Sequence, residues 1–420
     1  MYIFVIDKNN KSLMPTNPRQ ARLLLKKKQA IVIKLEPFTI KLKKDSTSYI
    51  QDITLGIDAG TKHIGISAAQ NNSVLFEAEV ELRDDIKSLI DTKRENRRSR
   101  RSRKTRYRKC RFLNRKRKEK WLAPSIEHKV SSHRKIVDFI CKILPIKKII
   151  VETAQFDIQK IKNPDIEKEE YQKGAQLNFF NVREYVLFRD NHTCQLCKRK
   201  NKILNVHHIE SRKTGSNSPD NLITLCEDCH KKIHSKKSTN LFAKKDSFKD
   251  ASQITTTRWF IYNALKEKYS NVNLTYGYLT KNTRIKNHLE KSHRVDARCI
   301  TNVIEEPLEY YQIKQIRSNN RQLHKNTIKG GIRKNNIAPG LIKGFQLFDK
   351  VLYNNEVSFI YGRRSTGYFK IAAIEGKTIH NSVNCSKLKL LEKAKTLLII
   401  KKRSGVSSPC LKAGVSTPSF

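Results

Sequence analysis

Two Cys-x-x-Cys pairs, Cys194/Cys197 and Cys226/Cys229, stand 28 residues apart. Four thiols in that pattern close tetrahedrally on a zinc ion, so the segment between them must fold back on itself. Nine cysteines with four of them set for a metal point to a reducing compartment rather than to disulfides. Between the pairs runs Leu204-Asn205-Val206-His207-His208-Ile209, read as a short strand carrying adjacent histidines. Beyond the second pair, His230 and His234 are four apart on a predicted helix and face the same way. His207 and a helix histidine can hold a divalent metal with positions open for a phosphate oxygen. His208, on the opposite face of the strand, can take a proton from water as general base. Asn221 can brace the intervening loop through its backbone. The plainer alternative is a non-catalytic zinc ribbon whose histidines pack or bind zinc.

A second pattern is scattered along the chain. Ile53–Ser67 reads as strand, turn, strand in the middle of a sheet, burying Leu55, Ile57 and Ile64. Asp58 is then a carboxylate among apolar neighbours, which calls for a cation or a metal. Its bland alternative is a turn aspartate closing a hairpin. Glu152 similarly ends the apolar run Ile146–Thr153. His293 and Asp296, three apart, share one face of a helix predicted over His288–Ile304. Three carboxylates and a histidine suit a pair of Mg²⁺ ions roughly 4 Å apart, flanking a scissile phosphate.

Charge narrows the partner. The 420 residues hold 86 Lys+Arg against 39 Asp+Glu, a formal net charge of +47. Self-repulsion on that scale opposes folding, and a nucleic acid would relieve it. From Lys93 to Lys120, 17 of 28 residues are Lys or Arg. The block lacks Pro and Gly and reads as a helix that needs a polyanion, with a solvated linker as the alternative. Its arginines Arg94, Arg97, Arg98, Arg100, Arg101, Arg103, Arg106 and Arg108 favour bidentate phosphate contacts. No long apolar segment suggests a membrane anchor, and the N-terminus lacks the features of a signal peptide.

The remaining chain supplies small modules. Residues 1–50 read as a strand over Tyr2–Asp7, a helix over Arg19–Lys28 capped from Pro15–Pro18, and strands over Ala30–Lys34 and Phe38–Leu42. Helices are predicted over 126–143 and 250–270, and a strand over Asn273–Leu279. Strands over Phe345–Val351, Val357–Gly362 and Tyr368–Ala373 suggest a small β-barrel or sandwich. Residues 404–420, rich in Ser, Gly and Pro, read as a flexible tail.

The Cys-x-x-Cys pairs with His207-His208, Asn221, His230 and His234 resemble the HNH nuclease family, a ββα-metal fold with a zinc brace. That resemblance implies His208 as general base and His207 and His230 as metal ligands, with His234 as a further ligand. Many members carry aspartate where His207 stands, which leaves the metal preference open. The order Asp58, charged helix, Glu152, HNH insert, His293-x-x-Asp296 resembles a RuvC-type domain of the RNase H fold interrupted by HNH. The whole chain resembles the IscB family of transposon-associated endonucleases.

The IscB resemblance implies an α/β fold with small α+β modules. These are a PLMP-like N-terminal domain at 1–50 (here Ser12-Leu13-Met14-Pro15), RuvC-like segments at 51–92, 122–180 and 241–306, and an arginine-rich bridge helix at 93–121. The HNH domain spans 181–240, and a C-terminal small β-barrel-like domain at 307–403 contacts RNA and the target-adjacent motif. It implies RNA-guided DNA cleavage: HNH cuts the guide-paired strand and RuvC the displaced one. Two Mg²⁺ ions are expected in the RuvC-like site, one in the HNH site, with a structural Zn²⁺. Expected partners are a guide noncoding RNA (ωRNA) and double-stranded DNA, around a monomeric protein with no membrane. The expected location is a bacterial cytoplasm or nucleoid, or a plastid. The competing reading is a protein-only HNH homing or restriction endonuclease.

Overall fold

A computed structural model describes the chain except for residues 1, 47–48, 102–120, 154–175, 177, 211–216, 236–248, 318–339 and 405–420. Two compact units emerge, Met1–Ala154 with Ile254–Phe420, and Gln155–Gln253. No helix among the described residues is long and apolar enough to cross a membrane.

The first unit opens with β1 (Phe4–Ile6), α1 (Pro18–Lys26), β2 (Ala30–Lys34) and β3 (Thr39–Leu42), the strands lying in the order β1-β3-β2. Asn17 caps α1 by accepting the Gln20 amide at 2.8 Å, with Pro18 in the first turn. The helix stops at Lys26, earlier than expected, because the chain turns through a left-handed Lys28 (φ 54°). Leu13 is buried in this module's own core, whereas its neighbour Met14 packs against the core of the central sheet. Ser12 Oγ donates to the Cys141 carbonyl at 3.1 Å. The Ser12–Pro15 stretch therefore pins the module to the sheet.

The central sheet begins with the antiparallel strands β4 (Ile53–Ala59), β5 (His63–Gln70) and β6 (Ser73–Glu81). β7 (Ile146–Glu152) pairs parallel with the free side of β4, and β10 (Val272–Thr275) parallel with β7. On the other side, β11 (Glu309–Gln315) pairs parallel with β6 and β17 (Leu397–Arg403) antiparallel with β11. The order is β10-β7-β4-β5-β6-β11-β17. β4 is central, and Ile53, Leu55, Ile57 and the facing Ile64 are buried, as the sequence predicts. The helix α3 (Pro124–Cys141) covers one region of this core with Ile136, Val137 and Ile140.

The helix His293–Ile300 lies almost on the backbone of β4 and β5. A Cβ at Gly65 would meet the His293 carbonyl oxygen at 1.7 Å, and one at Gly56 the Ala297 carbonyl oxygen at 2.4 Å. These glycines permit the close approach; they do not shape a turn. Gly65→Ala is expected to destabilise the first unit by about 1–3 kcal/mol or more, the usual cost of overpacking. Chemical denaturation measures this, and a variant as stable as its parent contradicts the packing described.

Several boundaries differ from expectation. The strand predicted over Asn273–Leu279 stops at Thr275, opposite Glu152, where its parallel partner ends. A helix, Gly277–Lys286, follows; the β-propensity of Tyr276 and Tyr278 had obscured it. The helix predicted over His288–Ile304 is confined to His293–Ile300. Ser292 Oγ caps it by accepting the Val295 amide at 3.2 Å, while His288 (φ 52°) and Asn302 (φ 59°) are left-handed outside its ends. The basic helix α2 spans Ile86–Arg101, starting before Lys93; the rest of the predicted 93–121 helix, up to residue 120, lies outside the described residues.

Residues 307–403 also divide differently from expectation, since β11 and β17 extend the central sheet. Between them, β12 (Lys350–Tyr353), β13 (Glu356–Arg363), β14 (Tyr368–Ala372), β15 (Thr378–Asn384) and β16 (Lys389–Glu392) form an antiparallel sheet in the order β15-β14-β13-β12-β16. Its outer strands β15 and β16 do not pair with each other among the described residues, so this is an open sheet and not a closed barrel.

The second unit contains α4 (Val182–Arg189), the hairpin strands β8 (Leu204–His208) and β9 (Leu222–Cys226), and α5 (Glu227–Ser235). Among the described residues its main buried cluster is Cys194, Leu225, Cys226, Cys229 and Ile233, so three of its five members are thiols. Arg189 ties α4 to the hairpin by donating to the Pro219 and Leu222 carbonyls at 2.8 and 2.9 Å.

Candidate metal centres and nucleic-acid interface

Asp58 and Glu152 are register neighbours near the C-terminal ends of the parallel strands β4 and β7. Loops and helices at that end of parallel strands form the usual ligand crevice of such sheets. His293, at the start of its helix, donates from Nδ1 to Asp58 Oδ2 at 2.6 Å. One turn on, Asp296 lies 2.8 Å from Arg284 Nε, an ion pair without hydrogen-bond alignment. Four residues spread over 239 positions of sequence are thus drawn to one end of one sheet.

The electrostatics of this cluster are only partly compensated by His293 and Arg284. Burial, and then the neighbouring Asp58 charge, push the Glu152 carboxyl up to about 7. Asp296 is raised for the same reasons in the same order. His293 is raised by its bond to Asp58, against the effect of burial. Glu152 Oε2 is buried with no hydrogen-bond partner. A buried carboxylate oxygen left unpaired is costly, and hard oxygen donors beside an imidazole suit a divalent cation such as Mg²⁺. The residues present therefore fit the metal. The cluster is more open than two others: among the described residues, the groups whose ligand atoms all lie within 4.8 Å are Cys194/Cys197/Cys226/Cys229 and His207/His230/His234.

The four cysteines meet the geometry of zinc. Cys197 Sγ and Cys226 Sγ are 3.7 Å apart. That is the edge of a tetrahedron whose centre lies about 2.3 Å from each sulfur, the ordinary zinc–thiolate bond. Burial raises the Cys194 thiol, yet the backbone amides of Cys197, Cys226 and Leu196 outweigh it and hold the group down to about 6. Burial and its three sulfur neighbours push Cys229 up to about 12. The set fits a structural Zn²⁺.

The second cluster includes His234 as fully as the other two histidines. The His207 ring is 5.1 Å from both His230 and His234, and the Nε2 atoms of His230 and His234 are 3.3 Å apart. Burial, then the two helix imidazoles, hold His207 down to about 4, so it is neutral and its lone pair is free for a cation. His208 points to the other face of β8, where its Nε2 lies 2.9 Å from Asn217 Oδ1. Asn221 brackets the loop after β8: its Oδ1 accepts the Glu210 amide at 2.8 Å and its Nδ2 donates to the Glu210 carbonyl at 3.1 Å. The bracing predicted from sequence is present.

Arg94, Arg97, Arg98, Arg100 and Arg101 lie exposed on α2, which buries none of its residues. Arg103, Arg106 and Arg108 lie outside the described residues.

Other residues of these sites were not legible in the sequence. Glu77, on β6, is 1% exposed and faces Arg298, also 1% exposed, at 3.7 Å. Arg294 Nη1 donates to Glu77 Oε2 at 3.2 Å and its guanidinium stacks over Tyr310 at 4.4 Å. This buried group anchors the helix that carries His293 and Asp296. The available signals were an acid inside an apolar strand and two arginines four apart. Thr280 and Asn217, which contact Glu152 and His208, left no signal.

Comparison with known proteins places these features. Residues 3–174 match the RRXRR protein family, and residues 194–236 the HNH endonuclease family. Arg97-Arg98-Ser99-Arg100-Arg101 spells the first family's pattern on α2. The two matches together in one chain fit an IscB-like protein. The chain carries an HNH endonuclease domain built on the Cys₄ and His₃ clusters. No curated protein matches it. Among solved structures it is similar to Streptococcus thermophilus Cas9 in complex with AGGA PAM, at 15% identity and a TM-score of 0.29, covering 43% of this chain and 26% of that one. A second Cas9 structure, with the AGAA PAM, gives 15% identity and a TM-score of 0.28 over 42% of this chain and 25% of that one. The chain spans about a quarter of the length of those Cas9 chains.

Proposed function

We propose that this chain is an RNA-guided, metal-dependent DNA endonuclease with two hydrolytic centres. The HNH domain cuts the guide-paired strand, and a RuvC-like site at Asp58, Glu152, His293 and Asp296 cuts the displaced strand. One observation carries the reading: a second acidic centre, assembled from β4, β7 and the His293–Ile300 helix, accompanies the HNH histidines in a single chain. The strand order supports the RuvC-like assignment. Three antiparallel strands are followed by two parallel ones on the side of the first, the arrangement expected of an RNase H fold. The formal charge of +47 and the exposed arginines of α2 support a long structured RNA as the main partner.

In the HNH site, His207, His230 and His234 would hold the metal, which when bound supplies Lewis-acid polarisation of a phosphate oxygen. His208 acts as general base. With Asn217 Oδ1 accepting at Nε2, the neutral ring carries its hydrogen there and presents Nδ1 to a water. Asn221 holds the Glu210 backbone just past the end of β8. In the second site, Asp58, Glu152 and Asp296 would hold Mg²⁺. His293 keeps its Nδ1 hydrogen on Asp58, which leaves Nε2 to exchange a proton with solvent.

Expression with RNA from the native locus, followed by sequencing of whatever nucleic acid copurifies, tests the guide. A defined transcript is expected; protein free of RNA that still cuts DNA favours the protein-only reading. His208→Ala should slow cutting of the guide-paired strand by about 10²–10⁴-fold, the range for loss of a general base. Strand-labelled duplexes measure this, and loss of all cutting in that variant counts against two independent centres.

A further inference from the structure

Tyr276 and Tyr278 flank the glycine that abuts Glu152, and neither ring contributes to the core. They are 54% and 62% exposed. Their planes lie within 16° of each other with centroids 6.0 Å apart. Among the described residues neither hydroxyl makes a hydrogen bond, and each ring's only aromatic neighbour is the other. Two large apolar faces held parallel in water cost solvation and give the fold nothing in return.

Their position is fixed against the acidic centre. A Cβ at Gly277 would sit 2.9 Å from Glu152 Oε1, so the backbone between the two tyrosines presses on that carboxylate. Thr280, on the first turn of the same helix, lies beside Glu152. Lys281 and Lys286 follow on that helix and can meet phosphates.

We infer that Tyr276 and Tyr278 form a stacking platform for unpaired nucleobases that leads a single DNA strand to the Asp58–Glu152 centre. This rests on the reading of that centre as the one acting on the displaced strand. Every base offers a π-face, so a flat aromatic surface accepts any sequence. A duplex keeps those faces inside its own stack and cannot use the platform. The tyrosines therefore select single-stranded over paired DNA.

The test uses the full chain with its RNA and a single-stranded oligonucleotide carrying 2-aminopurine, at salt high enough to screen phosphate contacts. Each Tyr→Ala change is expected to weaken binding roughly tenfold and to remove quenching of the probe. Tyr→Phe should preserve both, while Tyr→Leu, which keeps apolar bulk without a ring, should lose both. Equal affinity in the double alanine variant overturns the platform. On strand-labelled target duplex, that variant should cut the displaced strand about tenfold more slowly relative to the guide-paired strand. An equal fall on both strands also overturns it, since general damage acts on both. If the parent cuts only one strand while probe binding still depends on the rings, the two-centre reading fails and the platform stands.

Discussion

Asp58→Ala is expected to abolish cutting of the displaced strand and to leave a nickase for the guide-paired one. The residue stands beside Glu152 in the sheet register and holds His293 at 2.6 Å, so its loss removes a proposed metal ligand and frees the histidine together. The rate on that strand should fall by on the order of 10³-fold or more, above the ~10²–10³ typical of one lost preorganised donor. Stability should not fall with it. Asp58 is the charge that most raises Asp296 after burial, and the same holds for Glu152, so its removal relieves like-charge repulsion in the cluster. Strand-resolved cleavage and a thermal melt without divalent metal make the measurement. Parental rates on both strands, or loss of both, would sink the assignment of this centre.

Cys226→Ser is expected to collapse the second unit while the first remains folded. Among the described residues, the unit's main buried cluster has five members, three of them candidate zinc-site thiols, with Val186, Leu187 and Leu222 also buried, a small core against the entropy of ordering the chain. Structural zinc contributes about 10–16 kcal/mol of apparent binding free energy in small modules, and the four cysteines here fit that role beside a small apolar core. The variant should lose its zinc, expose Gln155–Gln253 to protease and stop cutting the guide-paired strand. Retention of a full equivalent of zinc in a protease-resistant unit would contradict this account.

What the sequence revealed follows from how local each signal is. The cysteine spacing, the cap of Asn221 on its loop and the burial of Leu55, Ile57 and Ile64 are short-range patterns, and all are present. Glu152 and Asp58 were legible as acids ending apolar runs, because a buried carboxylate is rare enough to stand out. Boundaries that depend on a distant partner were not. The strand after Val272 ends where β7 ends, a fact held by residues more than a hundred positions earlier. β11 and β17 read as part of a separate C-terminal domain, since nothing local says that they pair with β6 and with each other. Nothing local marks what the glycines at 56 and 65 permit; only the helix lying over them reveals it.

β7 and β10 are adjacent parallel strands, and the Gln155–Gln253 unit occupies the passage between them. Parallel neighbours need a crossover of a dozen or more residues, and the helix Lys249–Lys266 already spans that length before β10 begins. The cleaving module is thus a passenger in a connection that was long by necessity. Lengthening such a connection is cheap, about 0.6 kcal/mol for each doubling. A scaffold arranged this way can take up or shed a whole catalytic module without re-pairing a single strand.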